Sequence, residues 1–190
     1  MSFRLIVAIT GASGAIYGIR ALQILQSCQV ETHLIISRSA RLTIAQETDW
    51  SLAAVAALAA RVYEPEDVAA PPASGSFATQ GMLIAPCSIK TLSAIANSYT
   101  ADLTARAADV CLKEGRPLLL MLRETPLHLG HLRLMTAAAE MGAILFPPIP
   151  AFYGRPQTLD DLINASVGRA LSRLGIENPS YPHWPPPPSP

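Results

Sequence analysis

Short apolar runs alternate along the chain with segments whose apolar residues recur every three to four positions. The runs are rich in Val, Ile and Leu, which is typical of parallel strands covered on both faces. They predict five strands, at residues 3–10, 30–37, 81–88, 117–123 and 143–150. The periodic segments predict helices at residues 16–26, 38–48, 51–60, 89–99, 101–115, 130–142 and 159–175.

Strands that alternate with helices predict an α/β fold, a doubly wound parallel sheet with helices on both faces. A length of 190 residues suits a single domain. The prolines of the last segment exclude helix and central strand, so the tail is expected to be extended. We therefore predict a domain over residues 1–178 and a proline-rich tail over residues 179–190.

Composition and charge narrow the classes of function. Half of the residues are hydrophobic, 15% are charged and the formal net charge is zero. A neutral chain has no long-range field to attract nucleic acid or an anionic membrane. The low surface charge favours burial of surface between copies, and hence a homo-oligomer. Twelve of the fourteen basic residues are Arg, the better planar clamp for phosphate.

The cysteines and the N-terminal segment indicate the cellular location of the protein. Cys28, Cys87 and Cys111 are odd in number and share no C-x-x-C spacing, so they predict neither a disulfide framework nor a zinc ribbon. The first apolar run is too short for a membrane span or a typical signal peptide, and suits a first strand instead. We expect a reducing, cytoplasmic location.

The carboxyl ends of the predicted strands supply the candidate site. Ligands of open α/β sheets bind outside these ends, where the connections diverge. Five segments are therefore expected to face one crevice: residues 11–14, 37–39, 87–91, 123–125 and 150–153.

The glycine turn TGASGA, at residues 10–15, carries the clearest anion signal in the crevice. Gly11, Ser13 and Gly14 lie at a predicted helix N-terminus, where free N–H groups and the helix dipole attract an anion. The turn is neither G-x-G-x-x-G nor a P-loop, so a plain tight turn remains an alternative. Ser37 and the Ser88–Thr91 segment have an ordinary explanation as helix caps. Hydroxyls at three strand ends nevertheless suit a phosphorylated cofactor.

Arg123 and Glu124 end the fourth predicted strand with opposite charges. Successive strand residues point to opposite faces, which disfavours a simple ion pair between them. A carboxylate in a dry crevice can exchange protons near neutral pH, as a general acid or base must. A solvated ion pair at the start of a loop is the structural alternative.

The remaining candidate clusters favour structural roles. His128 and His131 have helical spacing, but the sequence supplies no third metal ligand, so surface or capping histidines are expected. Asp160 and Asp161 suit the N-terminus of the last helix. The chain contains no D-D-x-x-D motif, which argues against magnesium-dependent handling of a diphosphate.

Four segments together resemble the UbiX/Pad-type flavin prenyltransferases, the partners of UbiD-type decarboxylases. They are AITGASGAIYG, PCSIKTLSAIA, RAADVCLKEGRPLLLMLRETPLHLGHLRLM and PPIPAFYGRPQTLDDL, and the match runs from about residue 4 to 175. The resemblance implies a Rossmann-like, flavodoxin-type fold and reduced FMN bound between the subunits of a dodecamer. It also implies transfer of the dimethylallyl group of dimethylallyl monophosphate to N5 and then C6 of the flavin, without a metal.

The resemblance also assigns site residues by motif. The flavin-binding positions are Gly11, Ala12, Ser13, Ser37, Ser88, Ile89, Lys90, Thr91 and Arg123. The positions that bind the prenyl substrate are Arg106, Lys113, Arg123, Tyr153, Arg169 and Trp184. Glu124 matches the catalytic carboxylate, assisted by Ser13 and Lys113. Trp184 resembles a tail residue that closes the prenyl pocket, although the proline-rich ending departs from the family pattern.

Two other functions share this fold. A flavin-dependent cysteine-type decarboxylase resembles PASANT where this chain has PCSIKT, and carries an early catalytic His. The early His here, His33, falls inside the second predicted strand and is expected in the core or on the sheet surface. The other function is that of a carrier, which would bind FMN and deliver it to another enzyme without catalysing a reaction. In a carrier, Glu124 and Lys113 would have no function.

Overall fold

The computed structural model describes residues 3–183, in which a parallel sheet is flanked by helices. The strands are β1 (Arg4–Ile9), β2 (Glu31–Ile36), β3 (Arg61–Tyr63), β4 (Met82–Cys87), β5 (Leu118–Leu122) and β6 (Ile144–Leu145). The helices are α1 (Ala15–Ser27), α2 (Arg38–Glu47), α3 (Leu52–Ala56), α4 (Ile89–Ala96), α5 (Leu103–Lys113), α6 (Leu129–Glu140) and α7 (Leu159–Arg173).

The sheet has the strand order β3-β2-β1-β4-β5-β6, and every neighbouring pair is parallel. The connections turn one way from β1 to β2 and β3, and the other way from β4 to β5 and β6. The switch point thus lies between β1 and β4, where a crevice forms beyond the strand ends. The doubly wound parallel fold predicted from the sequence is confirmed.

Side-chain alternation along the strands builds two separate cores. Leu5, Val7 and Ile9 of β1 pack with α1 and α7, while Ile6 and Ala8 pack with α4 and α5 on the opposite face. Burial on both faces explains why the central strands are continuously apolar. No helix of the described residues is long and apolar enough to cross a membrane.

Three predicted elements differ from the observed ones. Strand β3, three residues at the sheet edge, was missed because so short a segment shows no periodicity. The helix predicted at residues 51–60 is shorter, since α3 ends at Ala56. Strand β6 contains two residues rather than eight, because Pro147 and Pro148 lack the N–H groups that a longer ladder needs.

Candidate functional site

Backbone hydrogen bonds align four strand ends at the carboxyl edge of the sheet. The Thr10 hydroxyl donates to the Pro86 carbonyl at 2.7 Å and accepts from the Ser88 N–H at 2.9 Å. The Ser37 N–H donates to Ile9, and the Arg123 N–H donates to Cys87. The glycine turn, Ser37, Ser88 and Arg123 therefore follow neighbouring strands, as predicted.

Two glycines shape the turn before α1. Gly14 has a left-handed backbone conformation, and the backbone at Gly11 lies close to α2. Gly14 has a φ of 97°, a conformation that favours glycine. A Cβ at Gly11 would lie 2.2 Å from the Ser39 hydroxyl oxygen, so only glycine fits against α2 there. Both glycines are thus required by the local geometry.

The N–H groups at the entrance of α1 are already occupied. The Glu47 carboxylate accepts from the Gly14 N–H at 2.7 Å and from the Ala15 N–H at 3.3 Å. In the protomer these two amides are therefore paired with Glu47, and anion binding by the glycine turn stays a prediction. Sequence reasoning missed Glu47, because a lone acidic residue at a helix end gives no signal of the turn it reaches.

Two serines of the predicted flavin site also cap helices. Ser37 accepts from the Ala40 N–H at 3.1 Å, and Ser88 accepts from the Thr91 N–H at 3.3 Å. The capping interpretation is confirmed for both. Each hydroxyl also lies within hydrogen-bond distance of a second hydroxyl, Ser37 of Ser39 at 3.2 Å and Ser88 of Thr91 at 3.1 Å. A hydroxyl has one donor and two acceptor positions, so each serine keeps one position for a ligand.

A cavity of about 900 Å³ opens beside Ser37 and Lys90. Its polar lining also includes Ser39, Ser93 and Asn97. Arg38, Glu66 and Asp102 line it as well, but Glu66 is paired with Arg38 and Asp102 caps α5. The remaining hydroxyl, amide and ammonium groups suit a ligand that carries both a phosphate and several hydroxyls.

A second cavity, of about 310 Å³, lies between the glycine turn, the end of β5 and α7. Ser13 and Arg123 supply polar groups there, together with Tyr17. Pro148, Leu159 and Ile163 are among its apolar lining residues. We call it the α1–α7 cavity. It joins polar donors to an apolar wall, and so suits a ligand with an anionic head and a short hydrocarbon chain.

Arg123 and Glu124 lie beyond β5, which ends at Leu122. The argument from strand alternation therefore does not apply to them, although no ion pair joins them within residues 3–183. The Glu124 carboxylate accepts from the Thr125 N–H at 2.9 Å and is exposed in the protomer. The dry surroundings expected for Glu124 are not provided by one chain.

Arg106 and Lys113 lie on α5, and neither is a lining residue of the two cavities. The Arg106 side chain donates to the Ala73 carbonyl at 3.1 Å and pairs with Asp109. Lys113 ends α5 beside Glu114, its ion-pair partner, near the start of β5. About 16 Å of strand separates this end of the sheet from Arg123, at about 3.3 Å per residue.

The other predicted substrate-binding residues lie at the protein surface. Tyr153 is in the loop before α7, where its hydroxyl donates to the Pro182 carbonyl at 2.9 Å. Arg169 is exposed on α7. Trp184 lies outside the described residues.

His128 and His33 have the structural roles expected of them, whereas the Nδ1 atom of His131 is buried without a hydrogen-bond partner in the described part of the chain. His128 caps α6 and its Nδ1 accepts from the Gly130 N–H at 3.0 Å. His33 is buried between Tyr63 and Glu31, at 2.8 and 3.0 Å. No group of three or more potential metal ligands occurs among residues 3–183.

Comparisons with known proteins cover almost the whole chain. The model of the family described as Flavoprotein matches residues 1–170. Flavin prenyltransferase UbiX of Escherichia coli K12 is 61% identical over 177 residues, 93% of this chain and 94% of that protein. Flavin prenyltransferase PAD1, a mitochondrial protein of Saccharomyces cerevisiae, is 51% identical over 95% of this chain and 75% of its own length.

Solved structures agree with the sequence relatives. AnUbiX (PadA1) in complex with FMN and dimethylallyl pyrophosphate has a TM-score of 0.96 and 46% identity, covering 98% of this chain and 99% of that one. A dodecameric FMN-dependent UbiX-like decarboxylase from Escherichia coli O157:H7 has a TM-score of 0.94 and 48% identity, covering 97% of this chain and all of that one. The chain belongs to the Flavoprotein family and, within it, to the UbiX-type flavin prenyltransferases.

Proposed function

We propose that this protein is a flavin prenyltransferase that joins the dimethylallyl group of dimethylallyl monophosphate to N5 and C6 of reduced FMN. The product, prenylated FMN, would serve a UbiD-type decarboxylase. The observation that carries the proposal is 61% identity to a flavin prenyltransferase over 93% of the chain. The α1–α7 cavity adds physical support, because its donors and apolar wall match an allylic phosphate.

The residues at the carboxyl edge fit FMN. The cavity beside Ser37 and Lys90 offers hydroxyl and ammonium groups to a phosphate and a sugar-like chain. Ser39 fills the space that a side chain at position 11 would need, so Gly11 presents only backbone at this edge. We propose that Gly11, Ala12, Ser13, Ser37, Ser88, Ile89, Lys90, Thr91 and Arg123 hold the flavin. When bound, reduced FMN supplies the electron-rich atoms that the prenyl group alkylates.

The chain must stabilise the phosphate that leaves. Ionising an allylic phosphate places positive charge on the prenyl carbon and negative charge on the leaving group. Arg123 and Ser13 face the α1–α7 cavity and can bind the leaving phosphate through fixed donors. We propose that Arg106, Lys113, Tyr153, Arg169 and Trp184 complete the substrate site.

Glu124 is the proposed proton-transfer residue. Ring closure at C6 releases a proton, which a positioned carboxylate can accept. Glu124 is one residue from Arg123, so it lies beside the proposed phosphate site. Its carboxylate also accepts the Thr125 N–H, which orients it in the loop.

A second copy of the chain is needed to complete this site. Within one protomer, Lys113 lies near the start of β5 and Arg123 follows its end. The exposed side chains of Ile149, Phe152 and Leu159 indicate surface that association would bury. We therefore propose a homo-oligomer, a dodecamer as in the UbiX-like relative, in which neighbouring copies supply Arg106 and Lys113.

The size of the α1–α7 cavity is compatible with a monophosphate as the substrate. A cavity of about 150 Å³ holds benzene, a molecule with six carbons. The cavity of about 310 Å³ thus has room for a five-carbon chain and one phosphate group. We propose the monophosphate as the substrate because the sequence has no D-D-x-x-D motif for magnesium-dependent handling of a diphosphate. Turnover with dimethylallyl monophosphate should therefore exceed turnover with the diphosphate.

Anaerobic reaction and mass spectrometry test the proposed function. The purified protein is mixed with reduced FMN and dimethylallyl monophosphate, and the flavin is then extracted. A flavin heavier by one C5 unit supports the prenyltransferase. Intact flavin binding without an adduct would contradict it and would favour a carrier.

The product must then activate a UbiD-type decarboxylase. We expect the extracted flavin to restore decarboxylation by an apo-decarboxylase, whereas FMN processed without dimethylallyl monophosphate should not. Failure of the modified flavin to restore activity would contradict the proposed partner while leaving the transferase in place.

A further inference from the structure

Tyr17 lies in the α1–α7 cavity, and sequence reasoning did not select it. It is the third residue of α1, and its N–H donates to the Gly14 carbonyl at 3.0 Å. A Cβ at Gly14 would lie 2.9 Å from the Tyr17 ring, so the ring packs directly over the glycine turn. The Tyr17 side chain therefore lies against the turn that carries Ser13.

The positive charge of Arg123 acts on the Tyr17 phenol. Both residues line the cavity. Burial raises the pKa of the Tyr17 phenol, and the positive charge of Arg123 lowers it in part. The phenol therefore keeps its proton at neutral pH and can donate a hydrogen bond.

The polar groups facing this cavity are matched to an anion. The polar side chains that line it belong to Ser13, Tyr17 and Arg123, and no carboxylate is among the lining residues of the described chain. Hydroxyls and a guanidinium can all donate to one phosphate. The Gly14 and Ala15 amides are bonded to Glu47, so these two backbone groups do not supply donors here.

We propose that the Tyr17 hydroxyl binds the phosphate of the prenyl substrate, between Ser13 and Arg123. The inference rests on the proposed function, and names a further binding residue for the same site. Tyr17 would donate to the phosphate from the first turn of α1, beside the glycine turn. Its neutral hydroxyl adds a donor without a further charge that would have to be desolvated.

The substitution Tyr17→Phe tests the assignment because it removes the hydroxyl and keeps the ring over Gly14. The matched control is Tyr181→Phe, since the Tyr181 hydroxyl donates to Ser172 at 2.9 Å and does not line the cavity. For each protein we would measure the dissociation constant of FMN, inhibition by inorganic phosphate, and kcat and KM for dimethylallyl monophosphate.

Loss of one hydrogen bond to a charged phosphate should raise KM and the phosphate inhibition constant together, by about tenfold or more. FMN affinity and the melting temperature of Tyr17→Phe should match those of the wild type. Tyr181→Phe should match in FMN affinity, KM and phosphate inhibition, and the lost hydrogen bond to Ser172 should lower only its melting temperature. Unchanged phosphate inhibition in Tyr17→Phe would overturn the inference, whatever the effect on kcat.

The outcome for Tyr17 can be separated from the outcome for the function. If the wild-type protein makes no prenylated flavin, the proposed function fails. Binding of inorganic phosphate by calorimetry then still decides Tyr17: a Kd raised at least about tenfold in Tyr17→Phe supports the inference, and an equal Kd overturns it. If the wild type is active and Tyr17→Phe is indistinguishable from it, only the inference fails.

Discussion

The flavin half and the phosphate half of the proposed site are built differently. At the flavin half, Ser37 and Ser88 cap helices and Thr10 ties β1 to β4, so the protomer itself holds these groups. At the phosphate half, Glu124 and Arg169 are exposed on the protomer. One half is therefore organised by the fold, and the other depends on its neighbours.

Because of this difference, we expect the flavin half to determine FMN affinity and the phosphate half to determine the catalytic rate. Groups held by backbone hydrogen bonds need no further ordering when the flavin binds, so they contribute affinity in a single chain. Exposed charges in water stabilise a leaving phosphate weakly, because the solvent screens them. Association of copies would exclude water and strengthen the phosphate half.

The largest effect is expected from Glu124→Gln. The amide cannot accept the proton released at ring closure, so kcat should fall by at least about 100-fold. FMN affinity should stay unchanged, because the flavin half is intact. Stopped-flow absorbance with a mass spectrum of the products measures both. Glu140→Gln, an exposed change on α6, is the control, and full activity of Glu124→Gln would remove this carboxylate from the mechanism.

Mixed assemblies test whether neighbouring copies share a site. Lys113→Ala and Glu124→Gln should each be nearly inactive alone. If the two side chains meet across a subunit interface, dissociating and reassembling the variants in equal amounts should restore about a quarter of the wild-type sites. Turnover of the mixture is compared with that of each variant treated alone. No restored activity in assemblies shown by native mass spectrometry to be mixed would contradict a shared site.

A smaller effect is expected from Arg169→Ala. Loss of a charged phosphate ligand should raise KM for dimethylallyl monophosphate by about tenfold or more, with little change in FMN affinity. Arg173→Ala, in the last turn of α7, is the matched control. Steady-state kinetics and flavin titration measure the two constants. An equal loss of both would point to collapse of a subunit interface instead.

The smallest effect is expected from removing a helix cap in the flavin half of the site. Ser37→Ala and Ser51→Ala each remove a helix cap, at α2 and α3, and each should lower the free energy of unfolding by about 1 kcal/mol. Only Ser37→Ala should also weaken FMN binding, because Ser37 lines the cavity of about 900 Å³ that opens beside Lys90. Denaturant melts and flavin titration measure the two effects. Equal FMN affinity in both variants would show that Ser37 caps α2 and does not bind FMN.

Sequence reasoning found the fold and most of the proposed flavin half for the same reason. Buried parallel strands are apolar along their length, and the residues that follow them must gather at one edge. Ser37, Ser88 and Arg123 could therefore be placed together without coordinates. Strand β3 escaped detection, because three edge residues carry no pattern.

The parts that were missed depend on long-range contacts. Glu47 reaches Gly14 across 33 residues, and Tyr17 joins Arg123 in a cavity that α7 closes. The sequence motif grouped Lys113 with Glu124, whereas the protomer sets them near opposite ends of β5. A motif records which residues serve one site, but not which copy of the chain supplies them.

By itself, the sequence determined the order of strands and helices, the glycine turn and the family, because local periodicity and motif spacing are written along the chain. Tertiary structure alone decided that Glu47 occupies the turn, that Tyr17 and Arg123 share a cavity, and that α5 carries Lys113 away from it. Those facts follow from how distant segments pack, and packing is a property of three-dimensional neighbours rather than of sequence spacing.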